Sequence, residues 1–571
     1  MGPWSRTLLL SSMFTMVACG GPGGFGGAPG AGTQGRSEAA PKRITAVVFT
    51  EHPTLIQVDK ALPGGEAVTA AVAAGLSVRG DKGSLVPVLA EAVPTVDNGL
   101  WKLLPDGRME TTWHLRENAV WHDGTPFTSA DLVFTAQAAM DPHMIGLNEN
   151  AYGLVDRMEA PDTHTLIVTW KRTFIEADEL FFIDPEGAKS FPLPKHLLET
   201  AYLQDKGDPS LTPNFFGLPY WSGGFVGTGP FKVKEFVQGI HTILVANDQY
   251  VLGRPKVDEL IIKYTQDLRS AVANVLAGQA DMTLGRGVSF QQGVDLASQW
   301  TNGRLENVSM KSRFTLYPQF INPDPPILLN VEFRRALMHA MDRQTMADTL
   351  QLGMVPVAHA YLGPDHPMYG AIEPRIVKYE YDPRKATQMI ENLGFVRGQD
   401  GRLRDASGQP LDLELRATPG DLYDKILSAV ANDWKQIGIG GDTIMIPTQR
   451  QADYDYRENR PGFEMTRRST SLSQLPRSWV FNPRTSRGAG HIARYQSAEW
   501  DALLDKYLVT VPLPERTAAV GDIIAHATTN LHMMEVMYDG EPTLISNRLV
   551  NVHGRAYETA QTWDAHLWDV R

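Results

Sequence analysis

Alternation of apolar and polar residues predicts three β-strands in the first third of the chain. From Arg43 onward, short runs appear in which apolar and polar positions alternate. Successive side chains of a strand point to opposite faces of a sheet, so a period of two fits strands that are buried on one face. The predicted strands are Ile44 to Phe49, Glu110 to Leu115 and Thr165 to Trp170.

Capping residues predict two helices later in the chain. Asp382 precedes Pro383, and proline is favoured at the first position of a helix. Gly394 follows the last apolar residue of this helix and ends it. A second helix begins at Asn330. The apolar faces are Ala386, Met389, Ile390 and Leu393 in the first helix, and Phe333, Leu337, Ala340 and Met341 in the second.

Strands and helices follow one another without strict alternation, and no internal repeat is present. This order is typical of an α+β architecture, in which helices and strands are mixed, with several domains. The length of 571 residues, with 43% hydrophobic and 21% charged residues, is that of a globular protein of two to four domains.

The segment WHDGTPFTSADLVF, residues 121 to 134, resembles a hydrolase site at first sight because histidine, aspartate and serine lie close together. Each polar residue has a structural explanation instead. Asp123 begins a turn, and Thr128 with Asp131 matches the capping box of a helix. Ser129 lacks the G-x-S-x-G surroundings of a nucleophile elbow. We therefore predict no catalytic residue here or elsewhere in the chain.

The charge balance excludes nucleic acid as a partner. The chain has 53 Lys and Arg against 65 Asp and Glu, a net charge of −12, without a block of basic residues. A phosphate backbone would be repelled on average. No HExxH motif occurs and only one cysteine is present, so we predict neither a metal site nor a cofactor.

The only cysteine, Cys19, follows an apolar run and the small residue Ala18, as in the signal peptide of a bacterial lipoprotein. Met16 to Cys19 resembles a lipobox, in which the cysteine is lipidated. A buried structural thiol is the alternative, but the Gly- and Pro-rich residues after it could not bury it. We predict a signal peptide over 1–18, a flexible tether over 19–41 and a lipid anchor at Cys19. No later segment is long and apolar enough to span a membrane.

Several blocks occur in the order found in one protein family. The chain resembles the bacterial extracellular solute-binding proteins of the peptide, opine and nickel group, family 5, which serve ABC importers. The blocks are LRENAVWHDGTPFTSADLVF (115–134), GTGPFKVKEF (227–236), LVANDQYVLGRPKVDELIIKY (244–264), AGQADM (277–282), FRRALMHAMDRQTMADTL (333–350), YDPRKATQMIENLGF (381–395) and ARYQSAEWDALLDKY (493–507).

The resemblance implies a two-lobed clamp of the type II periplasmic-binding-protein kind, with three domains around a ligand cleft. It implies a monomer that binds a peptide or another small solute and delivers it to a permease with ATPase subunits. It places the protein on the periplasmic or extracellular side of a bacterial membrane. The expected domains are domain I (42–80, 226–305 and 530–571) and domain II (81–225) in the first lobe, and domain III (306–529) in the second.

The resemblance also suggests where the ligand binds. Peptide-binding members often carry an aspartate after the strand that here reads FEMTRRSTSLSQLPRSW (463–479), but this chain has arginines in that segment. Guanidinium groups suit a carboxylate or phosphate, whereas Glu51 could pair with an amine. The expected ligand-binding residues are Glu51, His52, Tyr220, Trp221, Tyr317, Gln319, Arg467, Arg468 and Trp479.

The sequence leaves several alternatives open. The ligand could be a peptide, an opine, a chelate or an anionic solute. Two other classes of function compete with transport: a secreted hydrolase on a mixed scaffold, and a solute sensor or chaperone with the same fold. Anchoring to an inner or to an outer membrane is also left open, because Gly20 follows Cys19.

Overall fold

The computed structural model describes the chain from residue 40 onward, with gaps. Contacts divide the chain into Met1–Ala40 and Pro41–Arg571, and all elements given below lie in the second unit. The predicted signal peptide and Cys19 lie outside the described residues. The gaps are 50–54, 57–64, 145–146, 148–149, 183–190, 207–211, 266, 286–289, 308–309, 311, 452, 473–474, 476–480, 483–486, 489–493 and 555–558.

A seven-stranded mixed sheet collects strands from distant parts of the chain. Its first strand, Arg43–Phe49, runs parallel to both of its neighbours, and the remaining pairs are antiparallel. The order across the sheet is Gly303–Glu306, Thr543–Ser546, Met282–Leu284, Arg43–Phe49, Glu259–Thr265, His241–Ala246 and Phe231–Val237.

A four-stranded antiparallel sheet is formed by residues 101–170. In the chain, these residues come between strands Arg43–Phe49 and Phe231–Val237 of the seven-stranded sheet. Helix Ser129–Met140 follows the second strand of the four-stranded sheet in the chain and packs against strands Val155–Asp162 and Thr165–Trp170. Leu132 and Phe134 of this helix are fully buried. The order is Trp101–Leu103, Met109–His114, Thr165–Trp170 and Val155–Asp162.

A five-stranded mixed sheet forms a separate layer with its own apolar core. Its central strand, Phe463–Ser469, is parallel to one neighbour and antiparallel to the other. Strand Met534–Asp539, which our domain boundaries had counted with domain I, pairs here at the edge of this sheet. The order is Thr443–Met445, Leu415–Ala417, Phe463–Ser469, Ser312–Pro318 and Met534–Asp539.

Short hairpins and helices complete the described part of the chain. No helix of that part combines the length and the hydrophobicity needed to cross a bilayer. The two-stranded pairs are Ser77–Arg79 with Leu85–Pro87, Val396–Arg397 with Leu403–Arg404, Phe481–Asn482 with Arg487–Gly488, and Leu549–Val550 with Asp569–Val570. The α-helices are Gly65–Val72, Ser129–Met140, Asn150–Gly153, Lys195–Asp205, Thr212–Phe216, Leu268–Leu276, Phe290–Ala297, Val331–His339, Arg343–Leu350, Tyr369–Ile372, Pro383–Asn392, Asp421–Gln436, Tyr454–Glu458, Ala498–Val509 and Leu513–Asn530.

The elements predicted from local patterns are confirmed. The three predicted strands are present, one of them shifted by a single residue to Met109–His114. Asp382 caps its helix by accepting a hydrogen bond from the amide of Lys385, and Asn330 does the same for the amide of Glu332. These caps satisfy amides that have no partner within the helix, which is why the helices begin where the sequence predicts.

The histidine-containing segment at 121 to 134 is structural, as predicted. Thr128 and Asp131 form the capping box, and the hydroxyl of Ser129 donates to the carbonyl of Asp162. His122 is buried, and burial lowers its pKa to about 4, so its ring is neutral. Each of these side chains therefore has a partner in the fold.

His122 also explains the Gly-rich segment at 227 to 231. The amide of Gly227 donates to Nδ1 of His122, so the ring proton is on Nε2, which donates to the carbonyl of Gly229, and both distances are 3.1 Å. The amide of Gly229 in turn donates to the carbonyl of Val72. The glycines allow this close approach, because a Cβ on Gly229 would lie 2.4 Å from the backbone of Val72.

Candidate functional site

The five-stranded sheet carries chemically different side chains on its two faces. In strand Ser312–Pro318, Phe314 and Leu316 are buried in the apolar core that the sheet forms with its helices. Arg313, Thr315 and Tyr317 point the other way, because side chains alternate along a strand. We call this second side of the sheet the polar face.

The two neighbouring strands add further residues to the polar face. Residues that lie directly opposite each other in an antiparallel pair have their side chains on the same face. Glu535 of strand Met534–Asp539 lies opposite Thr315. The other opposed pairs are Arg313 with Arg468, Thr315 with Thr466, and Tyr317 with Glu464.

The polar face is directed towards the part of the chain that holds the other two sheets. Tyr317 and Tyr361 belong to the same apolar cluster as Ile44 and Leu260 of the seven-stranded sheet. The apolar residues on the other face of the strand belong to a different cluster, which is formed by the five-stranded sheet and its own helices. A cleft between the sheets would therefore be lined by the polar face.

Arg313 is a buried and neutralised charge at the centre of the polar face. Its Nε lies 2.8 Å from Oε2 of Glu535, and its guanidinium lies over the ring of Tyr361 at 3.7 Å from the centroid. Burial alone would lower the pKa of Arg313, but Glu535, Tyr361 and Tyr317 together outweigh this effect and raise the pKa. Removing one member of such a pair leaves an uncompensated buried charge, so we assign Arg313 a structural role.

Tyr317 and Arg468 carry hydrogen-bond donors on the polar face, Tyr317 buried and Arg468 exposed. Burial raises the pKa of Tyr317, and the positive charges of Arg313 and Arg468 only partly offset this effect, so the phenol keeps its proton. The side chain of Arg468 is exposed. Among the described residues, no carboxylate lies within ion-pair distance of Arg468. Arg468 lies opposite Arg313, four residues along the strand from Tyr317, and a guanidinium on this face suits a carboxylate or another anionic group.

Arg467 points to the face opposite Arg468 and has two acidic partners. Its Nε donates to Asp539, and its Nη2 donates to Oε1 of Glu541 at 2.9 Å. Burial would lower the pKa of Arg467, but the two carboxylates raise it above its ordinary value. The guanidinium that we expected to bind a ligand is thus already paired within the protein.

Gln319, another expected ligand-binding residue, is fully buried and holds two loops together. Its amide nitrogen donates to the carbonyls of Glu458 and Arg460, each at 2.8 Å. Its oxygen accepts from the amide of Ile321. These three bonds use most of its capacity, so Gln319 fixes the end of the strand that carries Tyr317.

Tyr220 and Trp221 are packed in the large apolar cluster. Their rings meet edge to face with centroids 4.9 Å apart, and Trp221 donates its indole N–H to the carbonyl of Phe215. The hydroxyl of Tyr220 is buried without a hydrogen-bond partner, and burial raises its pKa well above the ordinary value. The remaining expected site residues, Glu51, His52 and Trp479, lie outside the described residues.

Two further observations concern other candidate sites in the described part of the chain. A surface cavity of about 1140 Å³ is lined by residues such as Asp324, Arg402 and Asp412, but by no residue of the polar face. Arg402 and Asp412 already form an ion pair there. Within the described ranges, no group of three or more His, Cys, Asp or Glu residues is arranged to hold a metal ion.

Besides Thr315 and Glu464, sequence reasoning missed four further residues of this region. Their common signal is the alternation of polar and apolar residues in strand Ser312–Pro318, which reads SRFTLYP, together with its non-local partners. The alternation was visible in the sequence, but the partner strands were not. These four residues are Arg313, Tyr361, Thr466 and Glu535.

Comparison with known proteins gives a consistent result. The model of a family described as bacterial extracellular solute-binding proteins, family 5 Middle, matches residues 84–490. A "Putative ABC transporter peptide-binding protein" of Brucella ovis is 27% identical over 281 residues, which are 49% of this chain and 48% of that protein. The chain thus spans about half the length of that relative. The oligopeptide-binding protein AppA of Bacillus subtilis is 25% identical over 424 residues, 73% of this chain and 71% of that protein.

Solved structures share the fold. The crystal structure of NikA from Brucella suis in complex with Fe(III)-EDTA superposes with a TM-score of 0.70 at 17% identity, covering 93% of this chain and 100% of that chain. The likeness shows the fold of the two-lobed binding proteins, which confirms the predicted α+β clamp.

Proposed function

Because this chain belongs to the bacterial extracellular solute-binding proteins of family 5, we propose that it binds a small solute between two lobes and delivers it to the permease of an ABC importer. The observation that carries this proposal is the polar face. It combines a buried phenol, Tyr317, with an exposed guanidinium, Arg468, on the side of one sheet that meets the other sheets.

In this proposal the first lobe comprises the seven-stranded and four-stranded sheets, and the second lobe the five-stranded sheet. We propose domain I over 42–80 and 226–305 and domain II over 81–225. The sheets favour ending domain III at Asp539, because strand Met534–Asp539 pairs within its sheet. The following strand, Thr543–Ser546, returns to the seven-stranded sheet.

The solute that fits the polar face carries an anionic group. A carboxylate could accept hydrogen bonds from Arg468 and from the hydroxyl of Tyr317. Peptides, opines and metal chelates all carry carboxylates. The names of similar proteins include an oligopeptide-binding protein and a complex with Fe(III)-EDTA. We therefore propose a carboxylate-bearing solute of one of these kinds.

The same proposal treats the protein as a carrier rather than an enzyme. The residues that could mimic a hydrolase site, His122 and Ser129, are engaged with backbone groups of the fold. We also propose that Cys19 is lipidated, so that the protein is attached to a bacterial membrane by lipid and works outside the cytoplasm. Only the sequence pattern supports this anchor.

Native mass spectrometry of the purified protein, followed by thermal unfolding with peptides, opines and metal chelates, tests the proposed function. A bound solute should appear as an added mass and should stabilise the folded protein. At 100 times the dissociation constant, the free energy of unfolding should rise by about 2.7 kcal/mol.

Two results would contradict the proposal. One is chemical conversion of the solute during incubation with the protein. The other is a complete lack of stabilisation across all three solute classes together with no co-purified mass. A variant lacking the exposed guanidinium, Arg468→Gln, should give the smaller stabilisation with any solute that gives a positive result.

A further inference from the structure

The two sheets that face each other are connected by two short crossovers. Ser312 pairs with Asp539 at the edge of the five-stranded sheet. Glu306 pairs with Thr543 at the edge of the seven-stranded sheet. The chain therefore passes from one sheet to the other through residues 307–311, the first crossover, and returns through residues 540–542, the second crossover.

Arg467 binds the chain on both sides of Gly540, at the start of the second crossover. Its guanidinium binds Asp539, the last residue of the strand in the five-stranded sheet, and also Glu541 within the crossover. The two carboxylates are almost completely buried, with 1% and 8% of their side-chain surface exposed. Gly540 lies between the two acids, so the guanidinium bridges the position at which the chain leaves the sheet.

Gln351 forms two further hydrogen bonds at the same position. Its amide nitrogen donates to Oδ1 of Asp539 at 3.2 Å, and its oxygen accepts from the amide of Gly540 at 3.3 Å. Gln351 is fully buried and follows helix Arg343–Leu350 of the five-stranded layer. Side chains from one layer thus fix the backbone direction of the second crossover.

Asn307, at the start of the first crossover, lies against Gly540 of the second. A Cβ on Gly540 would be 2.7 Å from the side-chain amide of Asn307 in the first crossover. The amide of Met310, also in the first crossover, donates to Asp365. A change of direction at Gly540 would therefore displace the first crossover as well.

We propose that Arg467 is a positioning residue that sets the angle between the two lobes by bridging Asp539 and Glu541 across Gly540. Asp539 moves with the second lobe, whereas Glu541 lies beyond the point where the chain bends. The bond to Asp539 is kept during a rotation of the lobes, and the bond to Glu541 is the one that the rotation strains or breaks. The inference depends on the proposed two-lobed binding function, but it places Arg467 outside the ligand contacts.

Distance measurements between spin labels, made without any solute, test this role. The full chain would carry Cys19→Ser, with Val96→Cys in the first lobe and Val396→Cys in the second as exposed labelling positions. In Arg467→Gln, we expect the ratio of interlobe distance populations to change about tenfold, the factor that accompanies loss of a hydrogen bond between charged groups. Arg384→Gln, at an exposed arginine outside the polar face, is the matched control and should keep the parental distribution.

Glu541→Gln removes the acidic partner of the same bridge. This variant replaces Arg467→Gln in the experiment if Arg467→Gln does not fold. Far-UV circular dichroism and the melting temperature report folding separately from the interlobe distance. Identical distance distributions in the parent and in both bridge variants would overturn the inference. Because no solute is used, this result is independent of whether a peptide, opine or chelate binds.

Discussion

Arg467 and Arg468 are adjacent in the chain, yet their surroundings differ completely. Arg467 contacts two buried acids, whereas Arg468 is exposed on the polar face. The alternation of side chains along strand Phe463–Ser469 separates them. A guanidinium already held by two carboxylates has little affinity left for a third, so a solute carboxylate should bind Arg468.

Replacing Arg468 with glutamine should weaken binding of the solute found by mass spectrometry. Hydrogen bonds to a charged group contribute about 1.5 to 3 kcal/mol, so the dissociation constant should rise about tenfold to a hundredfold. Isothermal titration calorimetry measures the change. Arg384→Gln, at another exposed arginine, is the control. An unchanged dissociation constant for Arg468→Gln would exclude this residue from the site.

His122 is a buried neutral base with a predictable effect on stability. Burial lowers its pKa to about 4 in the folded protein, compared with about 6.5 for a histidine exposed to water. Between these two values the unfolded chain binds a proton that the folded protein does not bind. Acidification through this range therefore favours unfolding, and the stabilisation is restored as the pH rises towards 7.

The difference between the parent and His122→Gln should reveal this contribution. At pH 5 the parent should have lost about 2 kcal/mol of unfolding free energy through this group, relative to pH 7. The variant should lack that part of the pH dependence. Urea denaturation at both pH values gives the comparison, with His114→Gln at an exposed position as control. Parallel pH profiles for parent and His122→Gln would show that the histidine titrates normally.

At the scale of elements, the Gly-rich segment joins helix Gly65–Val72 to the start of strand Phe231–Val237. Gly229 accepts from His122 and donates to Val72. The contact is so close that a methyl group at this position would meet main-chain atoms, which cannot rotate away. The segment therefore connects residues that are far apart in the chain through close main-chain contacts.

Gly229→Ala should destabilise the protein by about 2 to 3 kcal/mol or prevent folding, because overpacking against backbone forces the chain to shift. Gly223→Ala is the matched control, since a Cβ there would lie 3.8 Å from its nearest neighbour. Chemical denaturation measures both variants. Equal stability of the two would mean that the approach to Val72 is not as close as described.

Elements with local signals could be predicted from the sequence, and the site could not. The helix after Asp382 depends on its cap and on a proline, which lie within a few residues of each other. The polar face depends on a register that brings Arg313 next to Arg468, although they are far apart in the chain. Tyr317 was predicted because of the family resemblance, whereas Arg313 and Glu535 needed the strand pairing.

At the scale of the molecule, the order of the chain differs from the order of the layers. The seven-stranded sheet takes strands from both ends of the described chain, and the strands of the five-stranded sheet lie between them in sequence. Composition and length predicted several domains, and the resemblance predicted their arrangement. The end of the five-stranded sheet in the chain is defined by the pairing of Met534–Asp539 with Ser312–Pro318. This contact is long-range, so no local sequence pattern predicts it.

The position of strand Thr543–Ser546 has a consequence for biosynthesis. It lies between Gly303–Glu306 and Met282–Leu284, two strands that are made much earlier. Until residues 543–546 have been synthesised, the position between these two strands is unoccupied. The backbone amides of both strands that pair with Thr543–Ser546 then lack their hydrogen-bond partners. The sheet that contains Arg43–Phe49 is therefore completed only after residues 543–546 have been synthesised.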